Sequence, residues 1–260
     1  MKSTPLALAA RGELVGRIHA AAKTIDADVS RPALFRPERK SEHAALEELR
    51  RNRPDLEEFD TLELQLRDLL QTRNPQRALT RQESDELITQ HLAGRSLAGY
   101  GVWVHYPWSR RLVHVLDRDE FVEVRTSRNR YKITDAEQQV LASKRVAVVG
   151  LSVGQSVALA LAMERSCGEL ILADFDQLEL SNLNRIRAGI HALGRSKVLI
   201  AAREIAEIDP FINVVCFPPG VSEQNIDRLF EGLKPLDLLI DECDGLDMKV
   251  LLREQARARR

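Results

Sequence analysis

The sequence lacks most of the features that assign a chain to a class at sight. Its 260 residues hold three cysteines, Cys167, Cys216 and Cys243. An odd number at wide spacing makes neither a disulfide framework nor a zinc module, so all three are expected to be small buried hydrophobes in a reducing compartment. Net charge is nearly absent: 38 Lys and Arg stand against 39 Asp and Glu. That balance removes any whole-chain case for nucleic acid or an anionic membrane. No stretch approaches the roughly 20 apolar residues of a membrane helix. The apolar run over 5–10 is shorter than the hydrophobic segment of a signal peptide, and Glu13, Asp26 and Asp28 argue against a transit peptide. The cytoplasm is therefore the expected location. Thirteen glycines and ten prolines are too few for a low-complexity chain. No G-x-x-x-x-G-K-[ST] occurs, so a P-loop is not readable.

What is present changes character near residue 143, which divides the chain into an expected region 1–143 and a domain 144–260. Upstream, prolines at 5, 32, 37, 54, 75 and 107 interrupt a patchy apolar pattern. Residues 6–28, 41–52, 55–72 and 81–93 read as helices, the last capped by Thr80 with Gly94 past its end. Residues 31–40, with Pro32 and Pro37, read as a linker. After Gly99-Tyr100-Gly101 the apolar period falls to two. Residues 102–106, 111–116 and 121–125 then read as three strands of an antiparallel meander. His105 and His114 sit on adjacent strands, but two histidines without a third ligand are read as ordinary strand residues.

Downstream, apolar strands over 145–149, 170–173, 212–217 and 236–240 alternate with helices over 155–165, 196–208, 222–230 and 246–259. This alternation predicts an α/β fold, a Rossmann-like parallel sheet with flanking helices, linked by right-handed crossovers. Ligands of such sheets bind beyond the carboxyl ends of the strands. That edge carries Gly150, Asp174, Pro218 and Asp241. Four parallel strands form a small sheet with a raw edge, so the chain is expected to belong to a longer protein.

Three signals lie on that edge. Gly150-Leu151-Ser152-Val153-Gly154-Gln155 joins a strand to a helix, where glycine lets the backbone approach a phosphate held on helix N–H groups. Ser152 and Gln155 depart from G-x-G-x-x-G, and Ser152 has a hydroxyl to offer a phosphate. Asp174, 24 residues after Gly150, ends the second strand, where a carboxylate binds ribose hydroxyls. Loop and Asp174 together do not choose between ATP and a dinucleotide. The third signal does: Asp174-Phe175-Asp176 is followed by Ser181-Asn182-Leu183-Asn184-Arg185 and then Lys197. Arg and Lys there suit a triphosphate better than a hydride donor.

These residues, with Asp241-Glu242-Cys243-Asp244 after the fourth strand, resemble in order and spacing the E1-like adenylating enzymes. That superfamily includes the ThiF- and MoeB-type activators and the ubiquitin-activating enzymes. The resemblance implies that Asp174 binds the ATP ribose, alongside the loop residues Gly150, Ser152 and Gly154. It implies that Asn182, Arg185 and Lys197 hold phosphates and that Asp244 holds Mg²⁺. Arg128, in Arg125-Thr126-Ser127-Arg128-Asn129, falls where the family sends an arginine into the partner subunit's site, so a homodimer is implied. The implied reaction is ATP-dependent adenylation of a carboxylate, in the family the C-terminal glycine of a ubiquitin-like or sulfur-carrier protein. Ile186 and Gly245 depart from the family's usual Gln and Asn, and the family's thiol nucleophile and zinc cysteines normally lie beyond the region present. A long extension before such a domain is similar to actinobacterial proteins labelled as molybdopterin biosynthesis. Two other readings stay open: a non-catalytic scaffold or dimerisation domain, motivated by Ser152, Gln155 and Ile186, and an NAD-binding oxidoreductase.

Overall fold

The computed structural model describes residues 29–231 and 234–259; the helix expected over 6–28 lies outside them. Two four-stranded sheets are built, one on each side of a shared helix. The first comes from β1 (Ala33–Phe35), β2 (Glu57–Asp60), β3 (Val102–Tyr106) and β4 (Arg111–Val115), in the order β1-β3-β4-β2. The period-two residues pair as the alternation requires, β3 antiparallel to β4 with Val104 opposite Val113. Helices α1 (Lys40–Asn52), α2 (Leu62–Arg73) and α3 (Arg81–Leu92) accompany this sheet. Thr80 caps α3 in a capping box, its side chain accepting from the Glu83 N–H.

Three readings need correction. The third meander strand is not formed: residues 121–125 lie in α4 (Arg118–Thr126). Asp117 caps that helix by accepting from the Arg118 N–H, and Asp119 and Glu120 fill its first turn. Phe121 and Val124, three apart, then fall on one helical face toward Leu66 and Leu116. The expected linker over 31–40 contains β1, and the helix read over 55–72 begins as β2. Both strands are short and lie at the sheet's edges, held by backbone pairing that leaves no apolar period to read.

The second sheet follows α5 (Asp135–Ala142). It is built by β5 (Arg145–Val149), α6 (Gly154–Glu164), β6 (Glu169–Ala173), α7 (Lys197–Ile208), β7 (Asn213–Phe217), α8 (Ile226–Phe230), β8 (Leu238–Asp241) and α9 (Leu246–Ala258). All four strands are parallel, in the order β7-β6-β5-β8. The helix read over 222–230 is the shorter α8, because Asn225 closes a turn onto the Ser222 N–H first. Both faces of β5 are covered, as its unbroken apolar run demands. Val146 and Val148 join the core under α6 and α7, and Ala147 and Val149 join that under α8 and α9.

Helix α7 is the shared wall. Val198, Ala201, Ala202 and Ile205 face the parallel sheet. Ala206, with Phe211 just beyond, packs against Val102, Val104 and Tyr106 of β3. The outer edge of β7 is covered by residues 29–31: Arg31 donates to the Val214 carbonyl at 2.9 Å, and Arg203 donates to the Val29 carbonyl. The strand order turns back at β5, so a crevice opens beyond the carboxyl ends of β5 and β8. Among the described residues no helix is long and apolar enough to cross a membrane.

Candidate functional site

The loop leaving β5 is shaped by two glycines for different reasons. Gly150 has φ +89°, and a Cβ there would lie 2.6 Å from the Glu242 carbonyl oxygen just past β8. Its own N–H donates to the Ala173 carbonyl at 2.8 Å. At Gly154 a Cβ would meet Val148 Cγ1 at 2.8 Å, so glycine there lets α6 sit down on β5. The result is a cavity of about 330 Å³ bordered by Gly150, Ser152, Asp174, Asp176 and Asp244. The helix that opens at Gly154 brings unpaired N–H groups to this end of the sheet.

Asp174 is buried, and both of its oxygens are engaged. One accepts from the Leu151 N–H at 2.6 Å, the other from the Asp176 N–H at 2.7 Å. It therefore clamps the glycine loop onto the end of β6. A carboxylate has about four acceptor sites, so two remain for hydroxyl groups in the cavity that Asp174 lines. Lys197 opens α7 directly behind. Its side chain is only 4% exposed, and Nζ donates to Asp176 Oδ2 at 2.7 Å and to Ser152 Oγ at 3.1 Å. Ser152 and Lys197, far apart in the sequence, meet here directly, and the lysine is shared with Asp176, to which the sequence assigned no role. The Asp-x-Asp spacing was the signal that could have found it.

Four of the predicted residues, Gly150, Ser152, Asp174 and Asp244, line the cavity, and Gly154 and Lys197 support its wall. The other three are elsewhere. Asn182 is buried, and its side-chain oxygen accepts from the Glu179 N–H at 2.9 Å, closing the short turn Leu180–Asn184. Arg185 follows that turn, is exposed, and donates to the Asn184 side chain. Arg128 is exposed in the turn Ser127–Asn129. The next residue, Asn129, donates to the Glu164 carbonyl, at the end of α6 remote from the glycine loop. Eleven helical residues separate those ends by about 16 Å.

The departures from the family pattern have a place in the packing. Gln155 is 2% exposed and faces away from the cavity. Its amide accepts from the Arg187 N–H at 3.0 Å and donates to the Arg187 carbonyl and to Glu204, each at 3.1 Å. Ile186 is buried between Leu178 and Ala192. Both side chains fix the crossover after Arg185 from behind, and neither borders the cavity. Cys243 does border the cavity. Burial, together with the neighbouring Asp241 carboxylate, pushes its thiol up to about 11, so at pH 7.5 roughly one thiol in a few thousand is ionised. Iodoacetamide is expected to label Cys243 far more slowly in the native chain than in urea, as mass spectrometry of the peptide would show. Rapid native labelling would contradict this. His114 is fully buried, stacked on Trp103 at 4.3 Å and bonded to Asp60 and the Tyr100 carbonyl.

Among the described residues no three His, Cys, Asp or Glu side chains converge as a metal cage. Mg²⁺ bound with a nucleotide needs only one or two carboxylates beside phosphate and water. Asp244, exposed at the cavity rim where Asp247 opens α9, fits that requirement.

The ThiF family profile matches residues 126–260. An uncharacterised protein of Mycobacterium tuberculosis is 49% identical over 60% of this chain and 22% of its own length. The tRNA threonylcarbamoyladenosine dehydratase of Bacillus subtilis is 30% identical over 51% of this chain and 52% of its own. The chain thus spans between about a fifth and about a half of these relatives. Among solved structures, the E. coli tRNA N6-threonylcarbamoyladenosine dehydratase in complex with ATP superposes with a TM-score of 0.50. It is 26% identical and covers 55% of this chain and 58% of that one. The chain belongs to the ThiF family.

Proposed function

We propose that this ThiF-family chain carries the nucleotide site of an ATP-dependent adenylating enzyme. A carboxylate oxygen attacks the α-phosphorus, the bond to the bridging oxygen breaks, and pyrophosphate leaves from an acyl-adenylate. The observation that carries the reading is the cavity at the β5–β8 crevice, where Ser152, Lys197 and Asp176 form one hydrogen-bonded group beside the glycine loop. Asp174 receives ribose hydroxyls on its remaining acceptor sites. Loop N–H groups, Ser152 and Lys197 receive phosphate oxygens. Asn182 fixes the turn from which Arg185 reaches the outer phosphates. Mg²⁺, when bound at Asp244, would neutralise phosphate charge against the incoming carboxylate. Arg128, at the far end of α6, has no route to its own cavity and serves a partner's in a homodimer.

The substrate we infer is the C-terminal glycine of a ubiquitin-like or sulfur-carrier protein, activated in the cytoplasm, on the order of motifs from Gly150 to Asp244. Residues 1–143 and 144–260 act as extension and catalytic domain. A second reading takes RNA as the carrier of the carboxylate. It is favoured by relatives whose names give a modified tRNA nucleoside as substrate.

Calorimetric titration of the full-length protein with ATP and Mg²⁺, and separately with NADH, tests the reading. ATP is expected to bind in a Mg²⁺-dependent manner. Asp244→Ala is expected to remove most of that dependence, and Arg185→Ala to weaken ATP by roughly tenfold. NADH binding without ATP would make the site an oxidoreductase's. A folded dimer silent to both would make the domain a scaffold.

A further inference from the structure

A second cleft, of about 470 Å³, lies behind the nucleotide cavity. One wall is the turn between β3 and β4, at Trp108 and Ser109, with Arg111 at the start of β4. The other is the crossover 187–195 with the outer face of α7. The first wall precedes residue 126, so the family-matched region alone does not form this cleft.

Its lining is basic in a chain that is not. Arg111, Arg187, Arg195 and Arg203 face two carboxylates, Glu204 and Glu207, against a whole-chain charge of −1. The carboxylates are already shared. Glu204 pairs with Arg187 at 3.2 Å, and Glu207 pairs with Arg111 at 3.5 Å and accepts from the Trp108 indole. The side chain of Arg195, a half-buried residue, makes no hydrogen bond or ion pair among the described residues. Ser109 Oγ, buried in the same wall, has no hydrogen-bond partner. A cation and a hydroxyl thus remain for an occupant that supplies acceptors.

The walls also tell one anion from another. The Trp108 ring already carries Arg203 at 5.3 Å and meets Tyr106 edge-on, a poor platform for a nucleobase. Glu204 and Glu207 would repel a phosphodiester backbone, which has no donor to offer them. A peptide has an N–H at each residue to give to these carboxylates, and acidic side chains to give to the arginines.

The cleft touches the nucleotide site at two points. Arg195 faces the cleft, while Lys197, two residues on, faces Ser152. Gln155, next to Gly154, is bonded to Arg187 and Glu204 of the cleft. We propose that the cleft binds an acidic peptide segment of the protein whose carboxyl group is activated in the cavity. This assignment rests on the adenylation reading for that last step alone.

The test uses full-length protein and three fluorescein-labelled probes: hexaglutamate ending in Gly-Gly, its hexaglutamine counterpart, and an octauridylate. Anisotropy is expected to show salt-sensitive binding of the glutamate peptide, weakened roughly tenfold or more by Arg111→Ala with Arg195→Ala. Neither residue belongs to the nucleotide machinery, so Mg²⁺–ATP titration should be unchanged in the double variant. Equal binding of the glutamine peptide, or unchanged binding by the double variant, would overturn the proposal. Preferential octauridylate binding that the double variant loses would overturn it in favour of RNA. Peptide binding that fails while ATP still binds removes the cleft alone. Peptide binding without any ATP binding leaves the cleft standing and removes the adenylation reading.

Discussion

Lys197→Met is expected to weaken Mg²⁺–ATP binding by about thirtyfold to a hundredfold, or ~2–3 kcal/mol, while AMP binding changes by less than about threefold. Methionine keeps most of the stem's length and removes only the ammonium. The aspartate left behind is half exposed, so water can solvate it and the fold has little reason to fail. The ammonium lies against Ser152 and Asp176 at the entrance to the loop, beyond where Asp174 would fix a ribose. It can therefore act on the outer phosphates, which AMP lacks. A purely structural lysine, holding Ser152 and Asp176 in place, would affect ATP and AMP alike. Calorimetry with both nucleotides separates the cases: equal losses, or none, would deny Lys197 a phosphate-binding role. Lys197→Arg should not rescue, because its planar fork is too large for a position buried this closely.

The parts of this site that could be read in advance are those fixed by local chemistry. The four-residue apolar run Val146–Val149 had to be a covered strand, and Gly150 and Gly154 had to serve a turn and a close approach. Asp174 had to end β6. Each follows from neighbours along the chain. The remainder depends on elements brought together from afar. Asp176 acquires its role only when α7 places Lys197 over it. Gln155, read as a defect in a glycine pattern, becomes a brace once the crossover lies within reach of its amide. The basic cleft joins Trp108 to residues 187–207, a separation that no local window samples. Strands β1 and β2 were missed for a different reason: Glu57-Glu58-Phe59-Asp60 is exposed along its length, and what pairs it with β4 is backbone and one Asp60–His114 contact rather than an apolar face. Residues 121–125 satisfied both an alternating and a helical pattern, and the Asp117 cap decided between them.

The largest stability loss is expected far from the cavity, at Asp209→Ala. Asp209 is fully buried after α7, and Arg165, itself 8% exposed, ends α6 in a left-handed conformation at φ +52°. Arg165 donates to both carboxylate oxygens, at 2.6 and 3.2 Å, and the Phe211 N–H donates to one of them at 3.0 Å. The pair locks the exits of α6 and α7 together at the sheet's amino edge. Removing the carboxylate strands a buried guanidinium and costs about 3–5 kcal/mol. That is a large part of the ~5–15 kcal/mol that holds a typical domain together. Calorimetry should show the melting temperature lowered by roughly 6–20 °C. A buried ion pair, however, adds little over an apolar pair of like size. Arg165→Met added to Asp209→Ala should therefore recover much of the loss, leaving the Phe211 N–H as the residual cost. A double-mutant cycle gives the coupling directly. A single-variant loss below about 1 kcal/mol would mean that water reaches Arg165 and that the two helices are joined by their apolar faces alone.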